Sequence, residues 1–123
     1  MIELSAGKLT VNKSIFFGHL YKLSNKYEID LIISNHKDLY KRANHHCYGV
    51  IINDNDHQFN FYKNDGEVGR PGKILLELLK KYNLNNNLIC VSRIFGGINL
   101  GVGGVSRSFK KIGESVIQHY IYK

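Results

Sequence analysis

Scarcity gives the first information about this chain. Its 123 residues include one proline, one methionine, two cysteines and no tryptophan. With so little proline and 43% apolar residues, the composition excludes a proline-rich linker or a disordered tail and leaves enough hydrophobic material for a packed interior. Cys47 and Cys90 stand more than forty positions apart, which excludes a disulfide framework and any CxxC metal or redox motif. Both are expected to be reduced and buried. No apolar run approaches the roughly 18 to 20 residues of a membrane-spanning helix. The opening MIELSAGKLTVNKS lacks the basic-then-apolar order of a signal peptide. The expectation is one cytoplasmic domain over residues 1–123, with no membrane association.

Acidic residues are also scarce, and unevenly so. Residues 1–65 hold eight Lys or Arg against seven Asp or Glu, a balance of +1, whereas residues 66–123 hold nine against three, a balance of +6. The basic half favours encounter with polyanions such as RNA.

Hydrophobic spacing then orders the elements. Ile2–Leu4, KLTV and SIFFGHLYKL read as extended segments, with a turn at Ala6-Gly7 and a kink or bulge at Asn12-Lys13. From Asn25 the period changes: Ile29, Ile32, Ile33, His36, Leu39 and Tyr40 make a helical stripe, with Ser24 as its N-cap. CYGVIIN and HQFNFYK form a hairpin across Asp54-Asn55-Asp56. Ile74, Leu75, Leu78, Leu79 and Tyr82 mark a second helix, ended by Asn85-Asn86-Asn87. LICVSRIF is a buried strand. A last helix begins near Val105 and buries Val105, Phe109, Ile112, Val116 and Tyr120. Hairpins mixed with one βαβ-type crossover predict an α+β two-layer sandwich, one sheet covered by helices.

Between the last strand and the last helix lies GGINLGVGG, with five glycines in nine residues. Gly96, Gly97, Gly101, Gly103 and Gly104 permit positive φ and close approach of another group, and a helix N-terminus offers unpaired N–H donors to an anion. No nucleotide motif is complete. Gly96 and Gly101 have P-loop spacing, but Val102 stands where the lysine belongs, and Ser106 ends a GxGxxG match at its sixth position. No cofactor is implied.

Three ordered blocks carry a family resemblance. Val91-Ser92-Arg93-Ile94-Phe95-Gly96-Gly97-Ile98-Asn99-Leu100-Gly101, continuing through Gly103-Gly104-Val105-Ser106-Arg107, resembles the signature of the Impact/YigZ family. Ala43-Asn44-His45-His46-Cys47-Tyr48-Gly49 and Asp65-Gly66-Glu67 are similar to two further family blocks. Ile94 and Val68 depart from the usual aromatic and proline. The resemblance implies a fold like the second domain of a small-subunit ribosomal protein and the fourth domain of elongation factor G, and a role linked to translational control.

Two site hypotheses follow. In the first, Arg93, Arg107, Lys110 and Lys111 contact phosphate of RNA, or meet a ribosomal or translation-factor surface, and the glycine loop allows close approach. In the second, His45, Cys47, Asp65 and Glu67 form a small hydrolase or transferase centre. Strand alternation puts His45 and Cys47 on one face and His46 on the other, so no metal site is predicted. A pure protein-interaction module is the third alternative. His19, His36, His57 and His119 are expected at the core edge or surface.

Overall fold

Alternation within the strands divides the molecule into two unlike faces. The computed structural model describes residues 1–123. Its elements are β1 (Ile2–Val11), β2 (Ser14–Lys22), α1 (Glu28–Leu39), β3 (His45–Asp54), β4 (His57–Lys63), α2 (Pro71–Lys81), β5 (Asn87–Ile94) and α3 (Gly101–Ile121). The strands form one sheet in the order β1-β2-β5-β3-β4, with every neighbouring pair antiparallel. This is the expected α+β architecture.

On one face, Phe16, Leu20, Cys47, Ile51, Ile89 and Val91 meet Leu75 and Leu79 of α2 and Val105, Phe109, Ile112 and Val116 of α3. On the other, Tyr21, Tyr48, Val50, Leu88 and Cys90 meet Ile29 and Ile32 of α1. The helices are therefore shared between both faces. The single crossover read from sequence becomes two, β2-α1-β3 and β4-α2-β5, each joining parallel strands with a third strand between them. Their directions and faces make the two opposite in hand, so one departs from the right-handed rule.

Three boundaries differ from the sequence expectation. The first hairpin turns at Asn12-Lys13, with φ of 46° and 69°, and not at Ala6-Gly7. Two consecutive positive φ values suit a two-residue hairpin turn, which asparagine tolerates. Gly7 instead pairs with Gly18 inside the sheet, directly beneath Ile112 and Val116 of α3, where a side chain would hold the helix away. Ser24 does not cap α1. The Glu28 carboxylate accepts from the backbone N–H groups of Ser24 and Asn25, at 2.7 and 3.2 Å, and pairs with the N-terminal amine. Those contacts, the amine foremost, hold its carboxyl below the usual range.

The third difference is the start of α3, at Gly101 and not near Val105. Glycine is a poor helix former, but the buried line Val105, Phe109, Ile112, Val116 and Ile117 supplies packing that outweighs propensity. Pro71, the only proline, opens α2, where its missing N–H costs nothing. Gly49 sits under α2, where a Cβ would fall 2.4 Å from the Leu76 nitrogen. No helix is long and apolar enough to cross a membrane.

Candidate functional site

The three sequence blocks converge at one end of the sheet. His45 opens β3 beside Arg93 at the end of β5, and the 64–67 loop crosses beneath them. That loop is pinned to β3 bond by bond. His45 Nδ1 donates to Asp65 O at 2.8 Å, His46 N donates to the Asp65 carboxylate at 2.8 Å, and Cys47 Sγ donates to Asn64 O at 3.1 Å.

Glu67 and Arg93 form the charged centre of this end. Arg93 Nη1 lies 3.0 Å from Glu67 Oε2, with side-chain exposures of only 6% and 4%. Nη2 donates to Ser14 Oγ, and the guanidinium lies over the rings of Phe16 and Phe95. His45 Nε2 faces Glu67 at 3.6 Å. These partners correct the expectation for Arg93: it is a buried ion-pair member, not a free cation offered to phosphate. A buried pair of this kind depends on both partners, because removing either leaves an uncompensated charge.

The enzyme hypothesis loses its nucleophile here. Cys47 is fully buried, and burial pushes its thiol up, well above the range in which a thiolate forms at neutral pH. Its sulfur bonds a backbone carbonyl rather than an imidazole. His45, Cys47, Asp65 and Glu67 are brought together as a hydrogen-bonded scaffold. No group of three or more His, Cys, Asp and Glu side chains is arranged to hold a metal ion.

The glycine segment divides into two parts. Gly96 passes so close to the β1–β2 turn that a Cβ would lie 2.1 Å from the Lys13 carbonyl carbon, so the close approach there is to this chain's own backbone. Gly97 and Gly101 take positive φ, at 87° and 72°, in open space. Gly103 and Gly104 belong to the first turn of α3, and Arg107 folds back along them; a Cβ at Gly103 would meet its Nη1 at 3.0 Å.

Asn44, His45, Arg93, Phe95, Leu100 and Val102 are among the residues around a cavity of about 550 Å³ between this end of the sheet and the start of α3.

Arg107, Lys110 and Lys111 are exposed on the outer side of α3. Two cations that sequence reasoning missed, Arg70 and Lys73, share a groove with Lys110 between α2 and α3. Their signal was available, since both flank the proline that opens α2. The two carboxylates of this helical layer, Glu77 and Glu114, are already paired with Lys80 and Lys81.

A second polar centre lies under α1, around two histidines expected at the core edge or surface. His36 is 1% exposed and His19 is 8% exposed, so both are buried. Tyr21 Oη lies 2.8 Å from His36 Nε2, Ser92 Oγ lies 2.9 Å from His36 Nδ1, and His46 Nδ1 lies 2.7 Å from the same Ser92 oxygen. One chain of neutral bonds satisfies all four groups: Tyr21 donates to His36, His36 to Ser92 and Ser92 to His46. Burial, reinforced by His19 and His46, holds His36 down at about 3. Burial also lowers His46. The place of His36 in the apolar stripe of α1 was the signal for its burial.

Comparison with known proteins decides the family. The model of the Impact N-terminal domain matches residues 12–117. The chain belongs to that family. Within the Impact N-terminal domain, the matched stretch runs from the first hairpin turn into α3 and includes all three blocks gathered at the end of the sheet. Among curated relatives, the IMPACT family member YvyE of Bacillus subtilis is 35% identical over 118 residues, covering 95% of this chain and 54% of that protein. The IMPACT homolog of Caenorhabditis elegans is 34% identical over 99 residues, covering 76% of this chain and 38% of that protein. The chain thus spans about half or less of the length of these relatives. A solved hypothetical protein shares the fold with a TM-score of 0.85 at 23% identity, over 93% of this chain and 56% of its own. The two-domain translational regulator Yih1 aligns with a TM-score of 0.63 at 16% identity, over 96% of this chain and 46% of its own.

Proposed function

We propose that this Impact N-terminal domain is a binding module of translational control that presents the outer face of α2 and α3 to RNA of the ribosome. One observation carries the proposal: Arg70, Lys73, Arg107, Lys110 and Lys111 are exposed on one helical layer, whose two carboxylates are taken up by other lysines. Excess positive charge concentrated on one face is the electrostatic footprint of polyanion binding. The fold shared with the translational regulator Yih1, together with membership of the Impact N-terminal domain family, supports the setting.

Salt dependence tests it. If three or four of these cations neutralise phosphates at once, the slope of log affinity against log salt is about −2 to −3. Arg107→Glu with Lys111→Glu removes most binding to ribosomal subunits or ribosomal RNA fragments and leaves the melting temperature unchanged, since both residues are exposed. Reversal of Lys22 and Lys26, in the nearly neutral half, changes binding much less. Salt-insensitive binding, or no association with RNA or ribosomes at low salt, overturns the proposal.

A further inference from the structure

The two edges of the sheet are built differently. Along β1 the pairing register slips between Glu3 and Ser5, and the strand carries the charges of Glu3 and Lys8. A bulge and charged side chains are ordinary means of keeping an edge strand from pairing with another chain. Between the end residues of β4, His57 and Lys63, neither device is present: Gln58, Phe59, Asn60, Phe61 and Tyr62 hold no charge and no proline, and the strand keeps one register against β3 throughout. An antiparallel strand turns the N–H and C=O groups of alternate residues away from its neighbour, so β4 offers a free row of donors and acceptors.

The apolar face under α1 also stops short at this edge. α1 packs against β3 and β5 and does not reach β4. Phe59 and Phe61 stand opposite the buried Ile52 and Val50, at 42% and 45% exposure, with their rings stacked 6.0 Å apart. The strand is complementary to itself. Laid antiparallel on a second copy about a two-fold axis at Asn60, residues 57–63 pair along their full length: Asn60 meets Asn60, each Phe59 meets Phe61 of the second copy, and each His57 meets its Lys63. The apolar row Ile52–Phe59 then continues into Phe61 and Val50 of the second copy, so one core runs into the other. Charge agrees with this register, because β4 begins at the acidic turn of Asp54 and Asp56 and ends at Lys63, and the axis sets each Lys63 beside the other copy's acidic turn. A shift of two residues would set a phenylalanine opposite His57 or Lys63 instead.

We infer that β4 is a self-association edge, through which two copies of this chain pair β4 to β4 and join their five-stranded sheets into one. The contact is isologous, with the same residues on both sides of the axis. A single strand on each side makes a small interface, so association is reversible and concentration-dependent. The inference does not rest on the cations of α2 and α3.

Sedimentation equilibrium of the full chain between about 10 μM and about 1 mM is expected to show monomer and dimer in exchange. Each copy carries a charge of +7, so added salt strengthens the dimer, whereas it weakens any binding to phosphate. Asn60→Asp and Asn60→Lys each set like charges opposite one another across the axis and weaken the dimer about tenfold or more. Asn60 is exposed, so the amide spectrum of either variant stays that of the folded chain. Mixing the two variants places opposite charges across the axis and restores association as a heterodimer. Phe59→Thr keeps a strand-forming residue, removes two rings from each dimer, and weakens association about tenfold as well. A chain that stays monomeric at the top of this concentration range overturns the inference, even where RNA or an added peptide moves the β4 amide resonances. Association unaltered in both Asn60 variants, or a mixture that associates no better than either variant alone, also overturns it.

Discussion

The two faces of the sheet are stabilised by different physics. Under α2 and α3 the contact is dry and apolar, with Phe16 and Phe109 meeting edge to face at 5.3 Å and glycines at positions 7, 18 and 49 admitting the helices closely. Under α1, the sheet presents His19, Tyr21, His46, Cys90 and Ser92, and the helix adds His36 and Tyr40. Apolar packing is indifferent to pH, whereas a buried histidine chain is held together only while its rings stay neutral. The difference teaches that one small sheet can carry a robust face and a conditional one.

The largest effect should come from breaking the dry face. Phe109→Ala is expected to cost about 3 to 5 kcal/mol, as deletion of a fully buried aromatic ring does. Ile32→Ala, its counterpart under α1, is expected to cost about 2 to 3 kcal/mol, because one helix covers that face and the site relaxes more easily. Urea unfolding of both variants at pH 7 checks the order. A reversed order would mean that the polar face is the main support.

Acid separates the two faces next. The folded-state value of His36, about 3, lies below its ordinary 6.5, so between these pH values the unfolded chain binds a proton that the folded chain refuses. Stability is therefore full above pH 6.5 and falls as pH drops, by about 1.4 kcal/mol per unit from this group, or about 2 to 3 kcal/mol by pH 4.5. The lowered His46 acts in the same direction. His36→Leu should flatten this slope while lowering stability at pH 7, since Tyr21 and Ser92 lose a partner. Unfolding curves from pH 7 to 4.5 give the comparison; an unchanged slope in the variant would remove His36 as the source.

The smallest effect tests the junction where the three blocks meet. Cys47→Ala should cost about 1 kcal/mol, as a small buried hydrophobe with one weak hydrogen bond. Cys47 in the folded protein should resist alkylation at pH 7, because its thiol is buried and held protonated. Rapid labelling of the native protein would return the enzyme hypothesis to consideration.

Much of this molecule was decided within short windows of sequence. The stripe from Ile29 to His36, the line from Val105 to Val116 and the alternation of His45, His46 and Cys47 each follow from helical or strand period, and they appear in the structure as the pattern requires. The three blocks likewise identified the family from local order alone. What lay beyond local windows depended on which element packs over which face. Gly7 looked like a turn residue and is a landing place for α3, because a missing side chain serves both purposes and only the opposing helix distinguishes them. Gly101–Gly104 looked like a loop and forms a helical turn, because the packing of Val105 and Phe109 outweighs the propensity of four weak residues. Arg93 read as a free cation and is buried, since the charge that neutralises it, Glu67, arrives from 26 positions away. Charge, period and composition are properties of a segment; burial and pairing are properties of neighbours that only the folded chain brings together.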